Sequence, residues 1–225
     1  LNNDPYKGYC NHLPDWGFFR PIFYKDQLLF VTLARGHMVD TGGGFPGGYF
    51  PNAYDIHAEG LCIPPLKVFE KGKEQKEILE LIWNNVRWPE AVRLDNYSLI
   101  ASTKICEDRI VGLIKKYGVD TVLACVKEMK NRMEKAVRSG IAKIPDGTYS
   151  GEAATDDDGT ELDVPVWVRC DLTVKGDELT IDYSRSDDQR KGFVNNVFMT
   201  TYSRAMASLF LFMDTSLCDY HNEGS

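Results

Sequence analysis

Arg20-Pro21-Ile22-Phe23-Tyr24, then Lys25-Asp26-Gln27, then Leu28-Leu29-Phe30-Val31-Thr32-Leu33 is the stretch that decides how the front of this chain is built. Two runs rich in aromatic and β-branched residues flank a short polar connection, which predicts an antiparallel hairpin of residues 20–24 with residues 28–33. Immediately outside it, on both sides, stand histidines with carboxylates. His12 and Asp15 lie three apart upstream, His37 and Asp40 three apart downstream, and His57 stands two before Glu59. Three of the four histidines therefore sit in the first sixty residues, among glycines and prolines. Pro46, Pro51, Pro64 and Pro65 interrupt any helix there, so residues 1–72 read as a loop-rich β region.

Further out the period changes. From about Lys73, Ile78, Leu79, Ile82 and Val86 recur at helical spacing as far as Trp88-Pro89. Ile100, Ala101, Ile105, Ile110, Leu113 and Ile114 mark a longer helix ending at Gly118. Asp120 is then expected to cap a third helix, with the stripe Val122, Val126, Met129, Met133 and Val137 and a stop at Gly140. Residues 73–144 are thus expected to supply a central helical layer. Beyond the turn Pro145-Asp146-Gly147, strands are expected at residues 148–153, 164–174 and 178–183, the last two joined by Lys175-Gly176-Asp177 as a hairpin. A final helix is expected over residues 196–213, within a region 145–225. The fold class is α+β, with a mixed or antiparallel sheet.

A length of 225 residues with 43% apolar and 26% charged content suits a globular protein with a sizeable core. The formal charge of −7 and pI near 5.2 give no general attraction for nucleic acid or anionic lipid. The mostly apolar run 202–213 contains Arg204 and is too short to span a bilayer. No signal peptide is visible. The six cysteines, Cys10, Cys62, Cys106, Cys125, Cys170 and Cys218, contain no C-x-x-C pair, which argues against a zinc ribbon or dithiol motif and for a reduced cytoplasmic protein. The chain opens at Leu1-Asn2-Asn3 without Met and stops just after an apolar helical stretch, so a piece of a longer subunit is expected.

Imidazole nitrogens with a carboxylate suit a divalent Mn, Fe, Co or Zn, and two His with one carboxylate leave positions open for substrate. His12 and Asp15 converge if Leu13-Pro14 turns tightly, with His37 arriving from the neighbouring strand. The competing reading makes each His a hydrogen-bonding loop residue. Asp40 and His57 are open to roles as ligands, as groups that orient ligands, or as acid/base groups.

Other motifs fail on context. Gly42-Gly43-Gly44-Phe45-Pro46-Gly47 spells G-x-G-x-x-G, but Pro46, Gly47, Gly48 and Pro51 prevent the helix that must follow it. A loop beside the histidines that shields a reaction from water is the better reading. Asp156-Asp157-Asp158-Gly159 lacks the remaining EF-hand ligands, because Ala154 and Pro165 stand where oxygens are needed; a solvated turn is expected. Arg87, Arg93 and Arg109 suit an anion, or local ion pairs, and His221 has no role. No nucleophile elbow or P-loop is present, so any ATP chemistry belongs to another chain.

Several segments resemble, in order and over nearly the whole chain, the hydantoinase B/oxoprolinase family. They are Asn2-Asn3-Asp4-Pro5-Tyr6, His12-Leu13-Pro14-Asp15, Arg35-Gly36-His37, Asp40-Thr41-Gly42-Gly43, Glu59-Gly60, Ile63-Pro64-Pro65, Asn85-Val86-Arg87 and Pro145-Asp146-Gly147-Thr148-Tyr149. Within it, Asn11-His12-Leu13-Pro14-Asp15-Trp16-Gly17, Phe45-Pro46-Gly47-Gly48-Tyr49-Phe50-Pro51-Asn52 and Tyr54-Asp55-Ile56-His57-Ala58-Glu59-Gly60 look most like the acetone carboxylase α subunits. Hydantoinases more often have a second His at position 38, here Met38, and a Tyr at position 57, here His57.

The resemblance implies a hetero-oligomeric, ATP-dependent enzyme that turns acetone and bicarbonate into acetoacetate, with AMP and phosphate as products. A partner β subunit uses the ATP to phosphorylate both substrates, and a small γ subunit completes the assembly. It also implies Mn(II) in this subunit, with Fe or Zn as alternatives, on His12, Asp15 and His37. His57, Glu59 and Asp40 are then the groups that move protons or orient ligands. An aromatic ketone carboxylase, an ATP-dependent hydantoinase or oxoprolinase, and a non-catalytic scaffold subunit are the alternatives.

Overall fold

The hairpin is longer than its apolar runs. In the computed structural model, which describes residues 1–8 and 10–213, a single turn of helix α1 (Pro5–Gly8) precedes β1 (Asp15–Tyr24), and β1 pairs antiparallel with β2 (Gln27–His37). Lys25 and Asp26 close the hairpin at φ 48° and 62°, the left-handed pair that a two-residue turn between right-twisted strands requires. The register shifts between Ile22 and Phe23, and from Ile22↔Phe30 it runs without a break to Asp15↔His37. Asn2 exchanges backbone hydrogen bonds with Gly17 at 3.0 and 2.9 Å, which secures the glycine-containing end of β1.

One face of the hairpin buries Trp16, Phe18 and Ile22; the other leaves Phe19, Phe23, Val31 and Leu33 exposed. Trp16 and Phe18 on the buried face join a core with Leu1, Met38, Ile63, Val68, Leu79, Ile82, Trp83, Val86 and Val92. Each large apolar side chain so buried contributes about 1.5–3 kcal/mol. The chain reaches that core through a glycine-rich loop with a 3-10 turn at Pro46–Gly48, through α2 (Ile56–Glu59), and through a two-residue ladder of β3 (Phe69–Glu70) with β4 (Lys73–Glu74). Helix α3 (Lys76–Trp83) turns Leu79, Ile82 and Trp83 inward.

Helix α4 (Pro89–Tyr117) starts earlier than its apolar stripe suggested, with Pro at the first helical position, where a missing N–H costs nothing. Its Thr103 binds the hairpin: Arg20 Nε donates to Thr103 Oγ1 at 3.1 Å, and Thr32 Oγ1 donates to the Thr103 carbonyl at 3.4 Å. The buried Asn96 accepts from Trp83 Nε1 at 3.0 Å.

The chain divides into two compact units, Leu1–Lys116 with Asn196–Thr200, and Tyr117–Asn195 with the described chain from Thr201. In the second unit, α5 (Val119–Ile141) is capped by Gly118 at φ 85°, not by Asp120. Asp120 lies inside the first turn, where its charge complements the helix dipole. An antiparallel meander follows, β5 (Gly147–Thr155), β6 (Val166–Lys175) and β7 (Glu178–Asp182), and α6 (Phe198–Met213) belongs to this unit from Thr201 onward. The fold is α+β with separate small antiparallel sheets.

The turn between β5 and β6 is not simply solvated, because Asp158 is buried. Its carboxylate accepts the backbone N–H groups of Glu161, Thr160 and Gly192 at 2.7, 2.8 and 3.2 Å. Those donors, led by Glu161, hold its pKa below the usual range. Cys10, Cys62, Cys106, Cys125 and Cys170 are free thiols, while Cys218 and His221 lie outside the described residues. Among the described residues no helix is long and apolar enough to cross a membrane.

Candidate functional site

The far end of the hairpin, away from its turn, gathers His12, Asp15 and His37. The N–H of Asp15 donates to the His12 carbonyl at 3.2 Å, closing Leu13-Pro14 into a tight turn, and the N–H of Met38 donates to the Pro14 carbonyl at 2.8 Å. Asp15 opens β1 and stands directly opposite His37, the last residue of β2, so both side chains leave the same face of the ladder. His12 Nε2 lies 3.7 Å from Asp15 Oδ2, and the His12 and His37 rings meet edge to face with centroids 5.2 Å apart.

The ring nitrogens differ in their tasks. His37 Nδ1 is 3.1 Å from the Met38 carbonyl. A carbonyl only accepts, so Nδ1 carries the proton and the Nε2 lone pair is left for a ligand. His12 Nδ1 is buried with no hydrogen-bond partner among the described residues, which leaves Nε2, facing Asp15, as the nitrogen able to act.

This cluster rests on buried polar groups that the sequence did not flag. Asn3 is fully buried; its Nδ2 donates to the carbonyls of Leu13 at 2.7 Å and Leu61 at 2.9 Å, and its Oδ1 accepts from Ile63 N–H at 2.6 Å. Trp16 Nε1 donates to Thr41 Oγ1 at 3.3 Å, and that hydroxyl donates to the Leu13 carbonyl at 3.4 Å. The His12 turn is thereby tied to two other segments of the same unit.

Asp40 does not join the histidines. Its side chain has 0% exposure, and it accepts from the N–H groups of Gly42 at 2.9 Å, Gly47 at 3.2 Å and Arg87 at 2.8 Å, and from the Arg87 guanidinium at 3.0 Å. Burial pushes its pKa up, but the three backbone donors and the guanidinium outweigh it, and the net displacement is downward. Arg87 also donates to the carbonyls of Gly42 and Gly43 at 3.2 and 2.6 Å. The pair therefore clamps the glycine-rich loop. Arg93, by contrast, is bound to Glu80 at 3.0 Å and lies over the Trp83 ring.

That loop lies on α2. Gly44 N–H donates to the Ala58 carbonyl at 2.8 Å, and a Cβ on Gly43, at φ 79°, would meet the Glu59 carbonyl at 2.5 Å. Asp55 caps α2 by accepting from His57 and Ala58 N–H at 2.9 and 3.1 Å. The His57 side chain is exposed. Glu59 is half-buried; desolvation first, and the Asp55 charge second, raise its pKa.

A residue absent from the sequence-based set completes the cluster. The Tyr49 ring stacks on His37 at 5.6 Å and 17°, lies 5.5 Å from the His12 ring, and places its hydroxyl 3.4 Å from His12 Nε2. Its place in the loop after Gly47-Gly48 was the available signal.

Two imidazoles and one carboxylate are a donor set that fits a divalent transition ion: the Met38 contact leaves the His37 Nε2 lone pair open, while His12 Nε2 lies against the Tyr49 hydroxyl. Among the described residues, no group of three or more His, Cys, Asp or Glu already stands at ligating separation. The side chains have converged without closing around a common centre.

A family profile described as hydantoinase B/oxoprolinase matches residues 1–225. The chain belongs to the hydantoinase B/oxoprolinase family. It is 36% identical over 197 residues to the B subunit of a putative D-/L-hydantoinase from Pseudomonas sp. (strain NS671), covering 84% of this chain and 32% of the relative. It is 33% identical over 212 residues to the beta subunit of the caprolactamase of Pseudomonas jessenii, covering 94% and 36%. The crystal structure of that organism's ATP-dependent caprolactamase superposes with a TM-score of 0.88 at 32% identity, again over 94% and 36%. A nucleotide-free structure of acetone carboxylase gives a TM-score of 0.86 over 96% of this chain and 30% of the other, at 20% identity, a likeness of fold alone. The chain spans about a third of the length of these relatives.

Proposed function

We propose that this chain carries the metal site of a subunit of an ATP-dependent enzyme acting on carbonyl compounds, with His12, Asp15 and His37 as ligands. The observation that supports it is the convergence of these side chains at one end of the β1–β2 ladder, with His37 held in the tautomer that exposes Nε2. Mn(II) is the ion we place first, with Fe or Zn as alternatives. A divalent ion there would supply Lewis acidity toward an enolate, carbonyl or carboxyl oxygen.

The chain's own groups have separate tasks. His37 is oriented through Nδ1 and the Met38 carbonyl, and Asp15 contributes the negative charge. Asp40 and Arg87 fix the loop that carries Tyr49. We assign proton handling to Glu59 or His57. Glu59 has the raised pKa that favours holding a proton nearer neutrality. His57 is exposed on α2, close along the chain.

The reaction we place first is ketone carboxylation, in which acetone, bicarbonate and ATP give acetoacetate, AMP and phosphate. ATP is used in a partner β subunit, and a small γ subunit completes a cytoplasmic hetero-oligomer. Met38 and His57, and the wording around them, support this choice. A second reading is ATP-dependent opening of a lactam or hydantoin ring, favoured by the 33% and 36% identities to caprolactamase and hydantoinase subunits.

The test is to purify the assembly, quantify Mn, Fe and Zn, and assay ATP-dependent incorporation of labelled bicarbonate into acetone beside hydrolysis of caprolactam and a hydantoin. Carboxylation with bound metal is expected. Ring opening without carboxylation overturns the first reaction, and activity in a metal-stripped assembly overturns the site.

A further inference from the structure

We infer that Tyr49 is a placeholder on the metal site: its hydroxyl holds His12 Nε2 and has to leave that nitrogen before an ion binds there. The inference rests on the metal reading above and adds a competitor built into the chain.

Position 49 is set by the backbone before it. Gly48 has φ 72°, and a Cβ there would stand 2.7 Å from Pro14 Cγ and 2.8 Å from Thr41 Cγ2. The loop is therefore pressed against the His12 turn, and the next residue is delivered over both imidazoles. Its ring lies nearly parallel to His37, with an interplanar angle of 17°, and its hydroxyl is 3.4 Å from His12 Nε2.

The conflict is one of lone pairs. Nδ1 of His12 is buried with no partner among the described residues, while Nε2 faces Asp15 Oδ2 at 3.7 Å, so Nε2 is the nitrogen that ligates with Asp15. The phenol hydrogen bond and an Nε2–metal bond use the same site on the ring and exclude one another. The Tyr49 side chain can swing away without disturbing the core, because the residue is 52% exposed. The aromatic stack on His37 survives loss of the hydroxyl, so Tyr49→Phe separates the two contacts.

The experiment strips the full-length protein with a chelator and titrates it with Mn(II) alone, wild type beside Tyr49→Phe. The near-ultraviolet tyrosine difference spectrum is recorded at each step. Removing a competing neutral hydrogen bond should tighten Mn(II) binding by about threefold to tenfold. The wild type should also show a metal-dependent tyrosine difference signal that the variant lacks. Equal or weaker binding by the variant, or a difference signal that persists in it, overturns the placeholder role and leaves the metal site standing. A wild type that binds no ion overturns both.

Discussion

Asp40→Asn keeps the volume of a fully buried side chain and changes only what it can accept. Four donors converge on the carboxylate, three of them backbone N–H groups and the fourth the Arg87 guanidinium. An amide offers one oxygen and turns its NH2 toward donors at the other position. Breaking one partner of a wholly buried charged pair costs about 3–5 kcal/mol, and because the Arg87 side chain is 37% exposed that range is an upper bound here. The four contacts share one group, so their losses do not add, and that range covers the whole set. For a chain of this length, it lowers Tm by no more than about 20 °C. Urea unfolding followed by tryptophan fluorescence reads the effect directly, since Trp16 and Trp83 are buried in the same unit as Asp40. The pH dependence follows from the depressed pKa of Asp40. Its contribution is fully present above the unfolded carboxylate value of about 3.9 and is lost as pH falls through the lower folded value. The gap between wild type and variant should be flat near neutrality and close in acid. A gap under about 1 kcal/mol at pH 7, or one that widens on acidification, refutes the clamp.

Asn3→Ala removes the partner of the Leu61 carbonyl and the Ile63 N–H, and leaves the Leu13 carbonyl with the longer Thr41 contact alone. It should cost about 3 kcal/mol or more and weaken Mn(II) binding, because Leu13 lies inside the His12 turn; a urea midpoint within error of wild type contradicts this. Gly43→Ala forces a side chain into φ 79° against the Glu59 backbone, costing about 1–3 kcal/mol from the backbone conformation alone. Amide exchange at Gly44, which is bound to the Ala58 carbonyl, should accelerate, and unchanged protection argues against a tightly seated loop. Tyr49→Phe should bind Mn(II) more tightly than wild type in the same titration.

The hairpin was legible where apolar alternation marks it, over residues 20–24 and 28–33, and illegible at its other end. Asp15, Gly17, Gly36 and His37 have weak strand propensity and are held in the ladder by contacts distant in sequence, Asn2 with Gly17 and Met38 with Pro14. Extending the ladder to Asp15↔His37 sets two predicted ligands opposite each other. Spacing alone left that placement conditional on a tight Leu13-Pro14 turn.

Asp40 illustrates the opposite limit. Its distance of three from His37 suggested chemistry, but its partner Arg87 stands 47 residues away, and no local pattern announces that pairing. Asn3 and Tyr49 stand within family motifs that give them no role, because the value of a buried amide or a stacked ring depends on neighbours that only folding supplies. The start of α5 differs for a simpler reason: Gly118 makes the turn through its φ, which leaves Asp120 within the first turn of the helix.

His12, Asp15 and His37 are proposed to hold a metal ion together. Equilibrium titration of the stripped full-length protein with Mn(II), followed by the electron paramagnetic resonance of the unbound ion, measures this directly. One tight site per chain is expected in the wild type, and its loss in both His12→Ala and His37→Ala, with folded structure retained by circular dichroism. Full Mn(II) binding by both folded variants would contradict it.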